Sequence, residues 1–151
     1  MSMHELFKKS VDLVTENCNS NDVIRPTDTV MNLAPRIIAA NNISLADILF
    51  VYVDHAMENH PVRAVITHRE FSVFLDLVTK YMETNPSIDK LDLESVFPLR
   101  YFVMKTDSIE KVFNMFKADV TDTIIVLGEK QEYVGKIRRN QFVDTVKSLT
   151  S

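Results

Sequence analysis

Apolar and polar positions alternate with two different periods along the chain, and the places where the period changes mark the elements. Ala64-Val65-Ile66 is an apolar run rich in β-branched residues, which suits a buried strand. The period changes at Thr67, and from Glu70 onward Phe71, Phe74, Leu75, Val78 and Met82 recur at helical spacing. A strand therefore feeds a helix through a short polar turn, with Thr67 as the natural N-cap. That arrangement sets a hydroxyl, free backbone N–H groups and a carboxylate at a helix N-terminus, where polar ligands are often held. The same residues equally describe a capped helix with no ligand. Near the C-terminus the design recurs: Tyr133 to Ile137 reads as a strand, Arg138-Arg139-Asn140 as the turn, and Phe142, Val143, Val146 and Leu149 as a helical face.

The remaining pattern fills in the elements between. Ser2-Met3-His4-Glu5 reads as a capping box opening a helix that carries Leu6, Leu13 and Val14 on one side and ends at Cys18, expected to be a buried thiol. Val23-Ile24-Arg25 is a short strand ended by Pro26. Thr27 or Asp28 then caps a helix with Val30, Met31, Leu33, Ala34, Ile37 and Ile38 on its apolar side and Pro35 as a kink or break. Ile48 to Val53 is apolar throughout, as expected of a strand buried on both faces. Asp54 to Pro61 is a polar loop, Asn85-Pro86-Ser87 a turn, and a short helix fits Ser87 to Leu93. Tyr101 to Met104 is a strand. Asp107 with Glu110 suggests a cap for a helix whose Ile109, Val112, Phe113 and Phe116 face the core. Ile124 to Leu127 is the next strand, with a turn over Gly128 to Glu132.

Laid side by side, the two halves repeat. Thr27-Asp28-Thr29-Val30 matches Thr106-Asp107-Ser108-Ile109, an offset of 79 from Asp28 to Asp107, and Phe71 matches Phe142 at an offset of 71. Each copy reads strand, helix, strand, strand, helix, and a half of this size has too thin a core to stand alone. The expected division is a helical extension over 1–21, a first copy over 22–82, a connecting segment over 83–98 and a second copy over 99–151.

Composition narrows the function classes. Of the 151 residues 46% are hydrophobic, which argues against disorder, and a net charge of −4 gives no support to non-specific nucleic-acid binding. Two glycines are too few for a phosphate-cradling Gly-rich loop. One cysteine excludes an intrachain disulfide framework and fits a reducing compartment. No apolar run reaches the length of a membrane span, and the start lacks the apolar core of a signal peptide, so the expectation is a cytoplasmic protein. His55 and His60 lie five apart in a loop, a spacing that suits no regular metal site, and no acid pair or Ser–His or Cys–His set has catalytic spacing. Lys136, Arg138 and Arg139 form a local basic cluster that reads as a solvated turn or as an anion contact.

The repeat resembles a tandem pair of cystathionine β-synthase (CBS) domains, a Bateman module, over roughly Asp22 to Leu149. Two signatures carry the resemblance. One is the opening Val23-Ile24-Arg25-Pro26-Thr27-Asp28-Thr29-Val30. The other is the family's closing pattern of Gly, any, apolar, Thr, any, any, Asp, apolar. Ala64-Val65-Ile66-Thr67-His68-Arg69-Glu70-Phe71 fits the closing pattern with Ala for Gly and Glu for Asp. The second copy, Gly135-Lys136-Ile137-Arg138-Arg139-Asn140-Gln141-Phe142, keeps the Gly but has Arg for Thr and Gln for Asp.

The resemblance implies an α+β fold in which two pseudo-symmetric β-α-β-β-α copies pack as one disc. It implies an adenosine-containing ligand, an adenine nucleotide or S-adenosylmethionine type, in the cleft between the copies, with no catalytic residue, metal or other cofactor. Carried over by position, Thr67 would donate to a phosphate, Glu70 would accept from ribose hydroxyls and Ile24, beside Arg25, would flank the base. His68 and Arg69 would supply phosphate charge. Glu70 is one methylene longer than the family's Asp, and Arg138 and Gln141 remove both polar signature groups from the second copy, whose site is expected to be empty or to bind a different anion through Arg138 and Arg139. The expected assembly is a homodimer formed through helices, with no nucleic-acid or membrane partner. The competing expectation is an interaction module that has lost its ligand and acts by dimerisation.

Overall fold

Ser2 opens the first helix as its spacing predicts, its hydroxyl accepting from the Glu5 N–H at 3.1 Å. The helix is far shorter than expected. In the computed structural model, whose described residues are 1–18, 22–25, 49–53, 61–84, 96–118 and 121–151, α1 spans only Met3–Phe7. Ser10 caps a separate 3-10 turn over Val11–Val14 through the Asp12 N–H, and the chain then enters a two-residue strand β1, Glu16–Asn17. The expected single apolar face is thereby broken: Leu6, Val11 and Val14 are buried but Leu13 is exposed. Cys18 is exposed too, a correction to the buried thiol expected at the end of a continuous helix.

The chain forms two units. One is Ser20–Arg100; the other joins Met1–Asn19 to Tyr101–Ser151. In the first unit, β2 (Val23–Ile24), β3 (Leu49–Val53) and β4 (Val62–Thr67) form a sheet in that order, β2 parallel and β4 antiparallel to β3. Helix α2, His68–Thr84, follows β4 directly. In the second, β5 (Phe102–Met104), β6 (Thr123–Leu127) and β7 (Tyr133–Arg138) repeat that sense of pairing, and β1 adds to the far edge of β7 in the order β1-β7-β6-β5. Helix α3, Ile109–Lys117, lies between β5 and β6, and α4, Arg139–Thr150, follows β7. The register repeats as well. Leu49 opposes Thr67 where Thr123 opposes Arg138, and both hairpins carry an irregularity near their far end, between Tyr52 and Val53 and between Val126 and Leu127.

Burial explains the pattern. Val51, Tyr52 and Val53 are buried, and all five residues of β6 are, so the continuous apolar runs are central strands covered on both faces. Ile24, Tyr52, Ala64, Ile66, Phe71 and Leu75 make one core; Val103, Ile109, Val112, Phe116, Ile124, Val126, Ile137, Phe142 and Val146 belong to the other. Leu6, Val11 and Val14 of the N-terminal extension are part of that second core. Fully burying a side chain such as Leu6 contributes roughly 1.5–3 kcal/mol, which is what holds so short a helix in place. Backbone bonds fix it further: Val11 N–H donates to Asp107 O at 2.8 Å and Ile109 N–H to Lys9 O at 2.9 Å.

Two details depart from the sequence pattern. The cap of α3 is Ser108, whose hydroxyl accepts from Lys111 N–H, one residue later than the expected Asp107. Asp107 instead accepts from Met104 N–H at 2.7 Å and from Lys111 Nζ at 3.0 Å, closing the turn between β5 and α3. Phe113 and Val143 are partly exposed instead of core-facing; Phe113 packs on the ring of Phe7, 4.9 Å away. The expected helix after Asp28, the loop from Asp54, His55 and His60, and the turn and helix from Asn85 to Leu93 lie outside the described residues.

Candidate functional site

The strand-to-helix junction after β4 concentrates polar groups. The β-branched run Val62–Thr67 ends at Thr67, and the chain turns at once into α2. Thr67 and Glu70 form a reciprocal capping box: Glu70 N–H donates to Thr67 Oγ1 at 3.2 Å, and Thr67 N–H donates to Glu70 Oε1 at 3.0 Å. The Thr67 side chain also bonds the Glu70 carboxylate, so its proton is engaged within the capping box and an oxyanion would have to take the carboxylate's place to receive it.

Glu70 has a second partner that sequence spacing did not suggest. The guanidinium of Arg100, thirty residues on, pairs with the same Oε1. Burial, the largest single influence, pushes the Glu70 carboxyl up, but the bonds from Arg100 and Thr67 together outweigh it and hold the carboxyl below its ordinary value. A ribose hydroxyl approaching Glu70 would thus share or displace an existing cation.

The other expected residues fall in different surroundings. His68 is buried, only 1% exposed, whereas Arg69 is exposed, so the two candidate phosphate cations stand in opposite environments. Ile24 is fully buried in the core with Tyr52, Ala64, Ile66 and Phe71, and Arg25 is half-buried at the end of β2.

In the second copy the equivalent junction is built differently. Arg138 is the N-cap of α4 and makes no side-chain cap bond. Its backbone N–H donates to Glu16 Oε2 at 3.3 Å, and its guanidinium grips the same carboxylate through Nε at 3.0 Å and Nη2 at 2.7 Å. Glu16 therefore does from β1 what Glu70 does from within its own helix, placing negative charge at a helix N-terminus. Arg139 donates to Asp122 Oδ1 at 2.7 Å, Phe116 O at 2.8 Å and Thr121 O at 2.9 Å, and lies over the Phe116 ring. Arg138 and Arg139 tie the second unit together; they do not form the solvated basic turn that their sequence suggested. Arg100 and Glu16 were not legible as site residues, because no short motif contains them.

An open depression of about 540 Å³ on the second unit is lined by Ser108, Glu110, Lys111, Asn114, Met115 and Ala118 and touches neither junction. Among the described residues no group of His, Cys, Asp or Glu has the arrangement of a metal site, and no helix is long and apolar enough to cross a membrane.

No protein-family model matches the sequence, and no curated protein matches it. Solved structures do share its fold. A structure of CBSX2 in complex with AMP matches with a TM-score of 0.64 at 11% identity, over 94% of this chain and 98% of the other. The CBS domain of a bacterial CNNM/CorC family Mg2+ transporter in complex with ATP matches with a TM-score of 0.61 at 14% identity, over 96% and 92%. The CBS domains of a transcriptional regulator from Streptococcus pneumoniae match with a TM-score of 0.56 at 16% identity, over 90% and 98%.

Proposed function

We infer that this chain, whose α+β fold is that of a tandem pair of CBS domains, is a regulatory module that binds an adenosine-containing ligand at the junction of β4 and α2. The observation that carries the reading is the state of Thr67. Its hydroxyl accepts from the Glu70 N–H and its side chain also bonds the Glu70 carboxylate, at a helix N-terminus and within the same hydrogen-bonded group as the Arg100 guanidinium, so that a phosphate replacing that carboxylate would take over its proton. A hydroxyl, helix-end N–H groups and a cation suit a phosphate. Two proteins of the same fold are seen with AMP and ATP bound, which supports an adenine nucleotide here. The second copy's junction is proposed to hold no nucleotide, because Arg138 and Gln141 stand where the first has its hydroxyl and carboxylate.

Regulation on this reading is binding without chemistry. A ligand that prefers one arrangement of the module shifts the population toward it by its differential affinity, and a partner reads the shift. A thermal-shift panel of adenine nucleotides and S-adenosylmethionine tests the proposal, since a ligand that binds only the folded state raises the melting temperature. No shift with any of them would remove the nucleotide reading.

A specific observation also favours an interaction role. On α2, Val73, Leu77 and Tyr81 are 56%, 61% and 53% exposed and recur every four residues, an apolar stripe along one face. We propose a second copy of this chain as its occupant, giving a homodimer. Of the apolar side expected for the first helix, Leu6 and Val14 are covered by the protein's own second core, while Leu13 is exposed.

A further inference from the structure

The two copies offer the same docking edge to two different segments of one chain. β4 and β7 are equivalent by register, so Val65 corresponds to Lys136 and Thr67 to Arg138. Each edge receives a short piece of chain that precedes a copy. On β7, Glu16 pairs with Lys136 and Asn17 with Gly135. On β4, the Val65 N–H donates to Pro98 O at 3.0 Å, and Arg100 follows two residues later. Main-chain groups are alike in every segment, so backbone pairing by itself cannot tell one piece from the other.

The side chains can. The first junction presents an acid, Glu70, and is met by a base, Arg100; the second presents a base, Arg138, and is met by an acid, Glu16. We propose that this reversal of charge is a sorting code that specifies which segment docks on which copy. Docked correctly, both junctions are neutralised by charge-assisted bonds. Docked the wrong way round, Glu16 would stand against Glu70 and Arg100 against Arg138, and both junctions would hold like charges. The code explains why the second copy lacks the family's Thr and Asp. An acid at the third helical position would repel Glu16, and a threonine in place of Arg138 would leave it without its cation.

Sequence distance makes such a code useful. Glu16 lies 122 residues from Arg138, whereas the β4 edge is nearer along the chain and can be reached earlier. Charge at the first junction therefore keeps the extension off the wrong edge until the right one exists.

Charge exchange tests the proposal independently of any ligand. In one variant the segments alone are exchanged, Glu16→Arg with Arg100→Glu. In a second the junctions are exchanged as well, adding Glu70→Arg and Arg138→Glu. Amide hydrogen exchange at Val65 and over residues 134–138 reads the two edges. The first variant is expected to lose at least about tenfold protection at both edges, and the second to recover most of it, although every residue involved has changed. Wild-type protection in the first variant, or no recovery in the second, overturns the code. Should the first variant fail to fold, Glu16→Gln answers the same question: protection must fall over 134–138 and stay unchanged at Val65, and an unaltered β7 edge overturns it.

Discussion

Gly135 and Glu16 touch backbone to backbone. A Cβ built on Gly135 would lie 2.0 Å from the Glu16 carbonyl oxygen and 2.7 Å from the Thr15 side chain. Glycine stands at the second copy's closing motif because β1 lies against it, and at the equivalent position of the first copy Ala64 is tolerated.

Gly135→Ala is therefore expected to destabilise the protein by overpacking, at about 1–3 kcal/mol, since the colliding atom is backbone and cannot rotate away. Urea denaturation followed by circular dichroism measures it. Proteolysis should at the same time nick the N-terminal extension, because the loss falls on β1 docking. A midpoint equal to wild type would show that the extension is not held against β7.

The capping box gives a second expectation. Thr67→Ala removes the acceptor for Glu70 N–H, and Ser108→Ala removes the acceptor for Lys111 N–H. Each should cost roughly 0.5–2 kcal/mol. Asp107→Ala acts through the Met104 N–H and Lys111 bonds, and its loss should add to that of Ser108→Ala only in part, because both serve one turn. A urea series of the three single variants and the Asp107→Ala/Ser108→Ala double variant separates these effects.

Acid should loosen both units. Glu70 and Asp107 have carboxyl groups held below their ordinary values of 4.5 and 3.8: burial pushes each up, and the bonds from Arg100 and Thr67, or from Met104 and Lys111, more than offset it. Their folded values lie below the unfolded ones, so their contribution is complete above the unfolded value and is lost as pH falls through the folded value. Stability should thus fall as pH drops below about 4.5. Glu70→Gln and Asp107→Asn should each flatten the profile of melting temperature against pH in that window, and a profile as steep as wild type in both would refute the assignment.

Binding and assembly provide the last expectation. If an adenine nucleotide binds at the first junction, Glu70→Ala should weaken it about ten- to a hundredfold, by loss of one charge-assisted contact of roughly 1.5–3 kcal/mol, while Gln141→Ala changes little. Calorimetric titration decides between the two junctions, and reversed effects would move the site to the second copy. Separately, Leu77→Lys should shift a dimer toward monomer in light scattering without lowering the melting temperature of the monomer, because Leu77 is exposed. Wild type scattering as a monomer at high micromolar concentration would remove the stripe as an interface.

How far the sequence reached depends on how local each decision is. The strand over Val62–Thr67, the run at Thr123–Leu127 and the helices after both closing motifs were legible, because period and β-branching act over a few neighbouring residues. The N-cap at Thr67, with an acid three positions on at Glu70, was legible for the same reason, whereas the reciprocal bond from Thr67 N–H to Glu70 came from the structure. Repetition of the motifs carried the order of elements in the two copies, and the structure supplied their strand pairing. The first helix was misjudged at Ser10, where a hydroxyl that caps the 3-10 turn and donates to Lys105 O, 95 residues away, outweighs the helical periodicity continuing through Leu13. Only the tertiary structure assigned the extension to the second core, and only it chose the partners of the two junctions. Arg100 and Glu16 lie 30 and 122 residues from the groups they neutralise, and no pattern along a chain records a charge pair whose members meet only when separate strands are brought side by side.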